Sequence, residues 1–272
     1  MRFEVDGIAS YAYTGARPLV AGRPAAVFVH GGGLDHSVWI HQSRYFAHHG
    51  FNALALDLPG HGRSGGESLD TITVMADWTM RAADALGIER LCVAGHSMGS
   101  LVALEAAGRY PDRVDAAALV GCAVPMAVTP ALLEAAKAND HTAFDMITLW
   151  GHRMGAQLGG NPAPGMWMTG GGVRLLERSR PGVLHNDLNA CNAYRHGLET
   201  AAKITCPVHL LIGREDAMAP PRATRALIAA LSVVRVVELA DCGHMLMAEQ
   251  PDAVRDALIA AFSAPDATPT TC

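Results

Sequence analysis

Three side chains far apart along the chain could together make one hydroxyl reactive: Ser97, Asp216 and His244. Serine is a weak nucleophile until a base takes its proton, and histidine serves best as that base when a carboxylate orients it. Ser97 lies in Gly95-His96-Ser97-Met98-Gly99, a G-x-S-x-G pattern between the apolar run RLCVAGH and the helix-like SLVALEAAGRY. That context suits a tight strand-to-helix turn, where the serine oxygen projects away from the sheet and glycines on either side remove bulk. The pattern alone is common, and a serine capping a buried helix would explain it almost as well. Its weight comes from Asp216 in GREDAMAPP and His244 in ADCGHMLMAEQP, each placed just after a strand-like run. The order serine, aspartate, histidine is the one expected when this constellation sits on an open α/β sheet. A fourth element, His30-Gly31-Gly32-Gly33, follows AAVFV. Acyl transfer needs two N–H donors at the developing oxyanion, and Met98 and Gly32 are the candidates, with Gly33 the nearest competitor for the second.

The elements that must position these groups follow from hydrophobic patterning. Short aliphatic runs at 25–31, 51–58, 90–97, 114–122, 207–213 and 233–239 alternate with helix-like segments. Their near-continuous hydrophobicity predicts strands buried on both faces of a mostly parallel sheet covered by helices. The segment DTITVMADWTMRAADALG places Ile72, Met75, Thr79, Ala82 and Leu86 at helical spacing and stops at Gly87, which predicts an amphipathic helix. A last helix runs from about Pro251 to Phe262. One interval breaks the alternation: residues 123–204 contain no convincing strand, only helix-like stretches around the Gly/Pro-rich GGNPAPGMWMTGGG. An insertion of that length is expected to be a helical cap, since ordinary strand connections are far shorter. The core is then 1–122 with 205–264, and 265–272 is a flexible tail.

Composition narrows the functions. The chain has 272 residues, is half hydrophobic and carries a net charge of −5 with its 21 lysines and arginines scattered. A nucleic-acid partner would call for a clustered basic face, so none is expected. No stretch reaches the ~20 apolar residues of a membrane span, and the opening MRFEVDGIAS lacks the pattern of a secretion signal. The six cysteines are dispersed without a CxxC pair, which predicts reduced thiols in a cytoplasm and no zinc site. A homodimer stays open.

With HGGG (30–33), DLPGHGRS (57–64), GHSMG (95–99), GREDAMAP (213–220) and GHMLMAEQP (243–251), the chain resembles a capped α/β-hydrolase across nearly the whole core. The resemblance implies an eight-stranded, mostly parallel sheet whose first antiparallel strands are FEVDG and ASYAYTG. It also implies Ser97 as nucleophile, His244 as base, Asp216 as orienting acid, and no metal or organic cofactor. Asp57, His61 and Arg63 would be turn residues, with Asp57 a weak rival acid. Haloalkane dehalogenases and epoxide hydrolases of this fold use an aspartate where this chain has Ser97, which disfavours those reactions.

The cap holds Met126, Met146, Met154, Met166, Met168, Trp150 and Trp167. Methionine and tryptophan suit irregular apolar sites, so Trp150, Trp167 and Met146 are the expected substrate contacts, with one or two of His185, Asp187, Asn189 and Tyr194 facing the cleft. No basic cluster is present to hold a phosphate or dicarboxylate. The expected substrate is a small to medium, mainly apolar carboxylic ester cleaved through an acyl-enzyme. Lactone, carbon–carbon bond and perhydrolytic chemistry reuse the same residues, and a non-catalytic binding protein is the rival outside enzymes.

Overall fold

Within each continuous apolar run, a period of two sorts the side chains to opposite faces. In β3 (Ala25–Val29), Val27 and Val29 join one buried cluster while Ala26 and Phe28 join another. The computed structural model describes residues 1–160 and 166–263. The expected tail, 265–272, lies outside them, as does part of the Gly/Pro-rich stretch. In chain order, β1 (Arg2–Val5) and β2 (Ile8–Tyr13) precede β3, and α1 (Ile40–His48) leads into β4 (Asn52–Asp57). Then come α2 (Ile72–Ala85), β5 (Leu91–His96), α3 (Met98–Arg109) and β6 (Val114–Val120).

From β6 to β7 (Val208–Gly213) the described residues form helices alone: α4 (Pro130–Lys137), α5 (Thr142–Gly151), α6 (Met154–Gln157), α7 (Met168–Leu176), α8 (Val183–Ala193) and α9 (Gly197–Ala201). The chain closes with α10 (Arg225–Ala230), β8 (Val234–Leu239), α11 (Leu246–Glu249) and α12 (Pro251–Phe262).

One eight-stranded sheet results, ordered β1-β2-β4-β3-β5-β6-β7-β8, with β2 antiparallel to both of its neighbours, β1 and β4, and the remaining pairs parallel. One face carries α2 and α3, with Met75, Trp78, Leu101 and Leu104 against Val27, Leu54 and Val93. The other carries α1 and α12, where Phe28, Trp39, Phe46 and Phe262 meet at 5.4–6.5 Å between ring centroids. Thr71 caps α2, its hydroxyl accepting from the Val74 N–H, which supplies one of the bonds that a helix start lacks.

β8 departs from the expectation of burial on both faces: Arg235, Val236 and Glu238 are exposed. It is the outermost strand, so only β7 flanks it, and apolar composition alone does not distinguish an edge from a centre. Every loop that carries a candidate site residue leaves the same edge of the sheet, the carboxyl end of the parallel strands. In open α/β sheets this is where ligands bind. No helix of the described residues is long and apolar enough to cross a membrane.

Candidate active site

Ser97 stands between β5 and α3 with φ of 52° and ψ of −118°. A non-glycine residue held there is strained by about 1–3 kcal/mol and persists only when its surroundings insist on it. They do: a Cβ at Gly95 would collide with the Gly99 carbonyl, and one at Gly99 would collide with the carbonyls of Val29 and His30. The two glycines thus let the turn close onto β3, as their spacing predicts. The Ser97 N–H is taken by the Val120 carbonyl at 2.9 Å, so the backbone of the turn is pinned while its side chain is free to face outward.

Asp216 follows β7. Its Oδ1 accepts from the N–H groups of Met218 and Ala219 at 2.8 and 2.7 Å, and its Oδ2 accepts from His244 Nδ1 at 2.7 Å. Burial pushes this carboxyl upward, but the attraction of His244 and these three hydrogen bonds outweigh it and hold the group below the usual carboxylate range. With Nδ1 donating to Asp216, His244 Nε2 carries the lone pair. That atom is buried and has no hydrogen-bond partner among the described residues.

The His244 loop is fixed from three sides. Its N–H and that of Met245 both donate to the Gly151 carbonyl at the end of α5, each at 2.9 Å. Glu249 accepts from the N–H groups of Gly243 and Arg153. The imidazole lies over the end of β6, where a Cβ at Gly121 would be only 3.0 Å from its Cε1. His96 Nε2 meets the His244 carbonyl at 2.8 Å, and burial together with the nearby His244 depresses the His96 pKa to about 3, so His96 is neutral.

Ser97 and His244 line one cavity of about 150 Å³, together with Gly31, Gly32 and Met98. The Met98 N–H opens α3, where no intrahelical carbonyl can accept it. Gly33 competes less well for the second donor role than its position suggested, because its N–H already donates to Asp187 Oδ2 at 2.8 Å. The Gly32 N–H has no acceptor among the described residues.

The remaining walls are almost wholly apolar: Leu132, Ile147, Leu188 and Trp150 from the helices between β6 and β7, and Met126, Met218 and Met245 from loops. The polar lining is limited to Ser97, His244, His96 and Thr129, with no charged side chain among the described residues. Of the three expected substrate contacts, Trp150 lines this cavity and the other two do not. Met146 packs against the small cluster of Leu132, Ala136, Ala143, Leu184 and Leu188. Trp167 is 75% exposed, with its ring folded back over Gly170. Spacing along a helix does not reveal which face docks inward, hence the difference. Met218 and Met245 could have been found in the sequence from their position beside Asp216 and His244.

The polar residues of α8, and Tyr194 just beyond its end, also face elsewhere. His185 and Asn189 bond to each other, and Tyr194 donates to Glu105 Oε2 at 2.6 Å. Asp187 is buried and accepts from Gly33 and from His61 Nε2, the latter at 2.8 Å. His61 is therefore more than a turn residue. Asp57 behaves as a turn residue, accepting from His36 and from the Arg63 N–H, remote from the cavity lining. Asp35, His36 and Asp57 place ligand atoms within 4.8 Å of one another. Their carboxylates are already taken by Ser37, Arg178, Arg63 and His36 itself, so the cluster is accounted for without an ion. The five described cysteines are free thiols.

Comparison with known proteins agrees with the architecture. Residues 26–257 match the alpha/beta hydrolase family, and the chain belongs to it. A Mycobacterium phage D29 protein named for non-heme haloperoxidase is 36% identical over 124 residues, 45% of this chain and 44% of that one, so the chain matches less than half the length of that relative. The AB hydrolase superfamily protein YisY of Bacillus subtilis is 29% identical over 258 residues, 89% of this chain and 92% of that one. Among solved structures, the enol-lactonase of Burkholderia xenovorans LB400 superposes with a TM-score of 0.85 at 22% identity, covering 97% of this chain and 100% of that one. At that identity the likeness is one of fold.

Proposed function

We propose that this hydrolase cleaves carboxylic esters with neutral, mainly apolar substituents, using Ser97 as nucleophile, His244 as base and Asp216 as the acid that orients it. The observation that carries the reading is the bare Nε2 of His244: Asp216 occupies its other nitrogen, and it shares a cavity with a strained serine. As Ser97 Oγ bonds to the carbonyl carbon, Nε2 takes the hydroxyl proton, and the oxyanion is received by the N–H groups of Gly32 and Met98. Collapse breaks the carbon–oxygen bond, and the alcohol leaves with the proton from His244. Water then attacks the acyl-enzyme by the same route, releasing the acid and restoring Ser97.

Residues 123–204 act in this reading as the cap that closes the cavity and supplies most of its apolar wall. An uncharged lining disfavours dicarboxylates and phosphates, because a buried anion without a partner is expensive. A lactone is a cyclic ester and would pass through the same steps, so it is the second reading. Short-chain p-nitrophenyl esters and a panel of lactones, assayed with the wild type and Ser97→Ala, test the proposal. Turnover is expected to fall by about 10⁴-fold or more in the variant, and a fluorophosphonate probe to label the wild type at Ser97. Undiminished turnover in Ser97→Ala would overturn the assignment, and absence of labelling would favour a non-catalytic binding protein.

A further inference from the structure

Asp187 is a buried carboxylate reaching from α8 to the glycine loop after β3, and nothing in the acyl-transfer steps uses it. Its Oδ2 accepts from the Gly33 N–H and from His61 Nε2, both at 2.8 Å, across 154 and 126 residues of chain. Gly32 lies against the same side chain: a Cβ there would be 3.2 Å from Asp187 Cβ and 3.8 Å from Oδ2. Gly33 is packed beneath Leu184 and Leu176. The loop is thus gripped one residue beyond the peptide whose N–H is left for the oxyanion.

A carboxylate this near a developing oxyanion would ordinarily oppose catalysis, since like charges repel most strongly where water is excluded. His61 answers that. Its Nδ1 faces the Pro59 carbonyl at 3.0 Å and its Nε2 faces Asp187. A carbonyl and a carboxylate both accept, so the ring donates from each nitrogen when it is the imidazolium, the form that Asp187 favours by raising the His61 pKa. His30, with its ring 4.7 Å away, is held neutral by burial, its pKa lowered to about 4, and adds no second cation.

Resting on the acyl-transfer reading above, we infer that Asp187 and His61 are a positioning pair for the oxyanion loop. The carboxylate engages the Gly33 N–H and so sets the Gly32 peptide toward the substrate, while the imidazolium cancels the charge that the carboxylate brings. The helical segment thereby finishes the oxyanion site as well as covering it. Other ties hold the same segment to the core: Arg180 donates to the Ser64 and Gly66 carbonyls, and Asn186 to the Leu69 carbonyl. Removing Asp187 therefore leaves the docking of α8 largely in place.

The test is steady-state hydrolysis of a p-nitrophenyl ester by Asp187→Ala, Asp187→Asn, His61→Gln and the double variant His61→Gln/Asp187→Asn. Each is paired with a melting curve and the inhibition constant of a trifluoromethyl ketone, whose adduct with serine carries an oxyanion. Loss of an oxyanion donor outright costs about 10²–10³-fold in kcat, so its misplacement in Asp187→Ala should cost about 10–100-fold. KM is expected to change little, and the ketone to weaken in step with kcat. Asp187→Asn keeps an acceptor for Gly33 and stays within about fivefold of wild type. His61→Gln strands the carboxylate charge and loses on the order of tenfold, and the double variant recovers most of that loss.

A purely structural role predicts no recovery. The inference is overturned if Asp187→Ala keeps kcat within twofold of wild type, if its loss falls on KM and melting temperature alone, or if the double variant is no better than His61→Gln. Should Asp187→Ala not fold, the two remaining single variants and their combination decide the matter. Inactive Ser97→Ala beside a fully active Asp187→Ala removes only this inference, whereas active Ser97→Ala removes the hydrolytic reading beneath it.

Discussion

Two buried histidine–aspartate pairs flank the cavity loops, and they differ in which ring nitrogen meets the carboxylate and in what the other nitrogen meets. In His244–Asp216 the carboxylate takes Nδ1 and leaves Nε2 bare beside Ser97's cavity. In His61–Asp187 the second nitrogen is also spent, on the Pro59 carbonyl. The same two residue types at 2.7 and 2.8 Å therefore give a base in one place and a clamp in the other. What separates them is the number of acceptors around the ring: one acceptor leaves a lone pair for chemistry, while two leave none.

The largest expected effect breaks that comparison if it fails. His244→Gln should lower kcat by about 10⁴-fold or more, against roughly tenfold for His61→Gln, measured on the same ester. Equal losses would mean that the two rings do the same work. Next comes the acid: Asp216→Asn should cost on the order of 10⁴-fold, because the amide no longer selects the correct tautomer, while Asp187→Asn stays within about fivefold. Stopped assays at saturating substrate would separate them easily.

A third experiment concerns how the helical segment is fastened at its base. Glu105 on α3 is buried and accepts from Tyr194, Thr200 and Thr73. Glu105→Ala removes the acceptor shared by the buried Tyr194 and Thr200 hydroxyls and should destabilise the fold by about 2–4 kcal/mol, read from urea unfolding. A change under about 0.5 kcal/mol would show that apolar packing alone suffices there.

The smallest effect is one of pH. Burial pulls the His61 pKa down, but the attraction and hydrogen bond of Asp187, with the Pro59 carbonyl, outweigh it and raise the value above normal. A raised folded value means that stability from this group is fully present below about pH 6.5, the ordinary imidazole value, and is lost as pH rises through the folded value. His61→Gln should flatten that alkaline decline in melting temperature. A decline unchanged in the variant would assign it to other groups.

Much of this was legible in the residue string. Gly95 and Gly99 could be matched to a tight turn because the steric demand is local, and the parallel strands could be read because burial on both faces writes continuous apolar runs. The absence of strands among the described residues between 123 and 204 was equally plain. The inward faces of those helices were not: Trp150 turned toward the cavity while Trp167 and Met146 did not, a choice made by docking rather than composition. β8 read as a buried strand because nothing in its apolar residues reports a missing neighbour.

By itself the sequence determined the side chains capable of chemistry, their order along the chain and the Gly95–Gly99 spacing that permits a tight turn at Ser97, while the Val29, His30 and Val120 carbonyls that hold that turn come from elsewhere in the chain. Only the tertiary structure decided that His244 keeps an Nε2 with no partner among the described residues in the cavity of Ser97 while Asp216 holds its other nitrogen, and that a carboxylate on α8 grips the loop at Gly33. The Asp187 contacts join residues more than a hundred positions apart. They depend on how helices settle against a sheet edge, and no local periodicity encodes that.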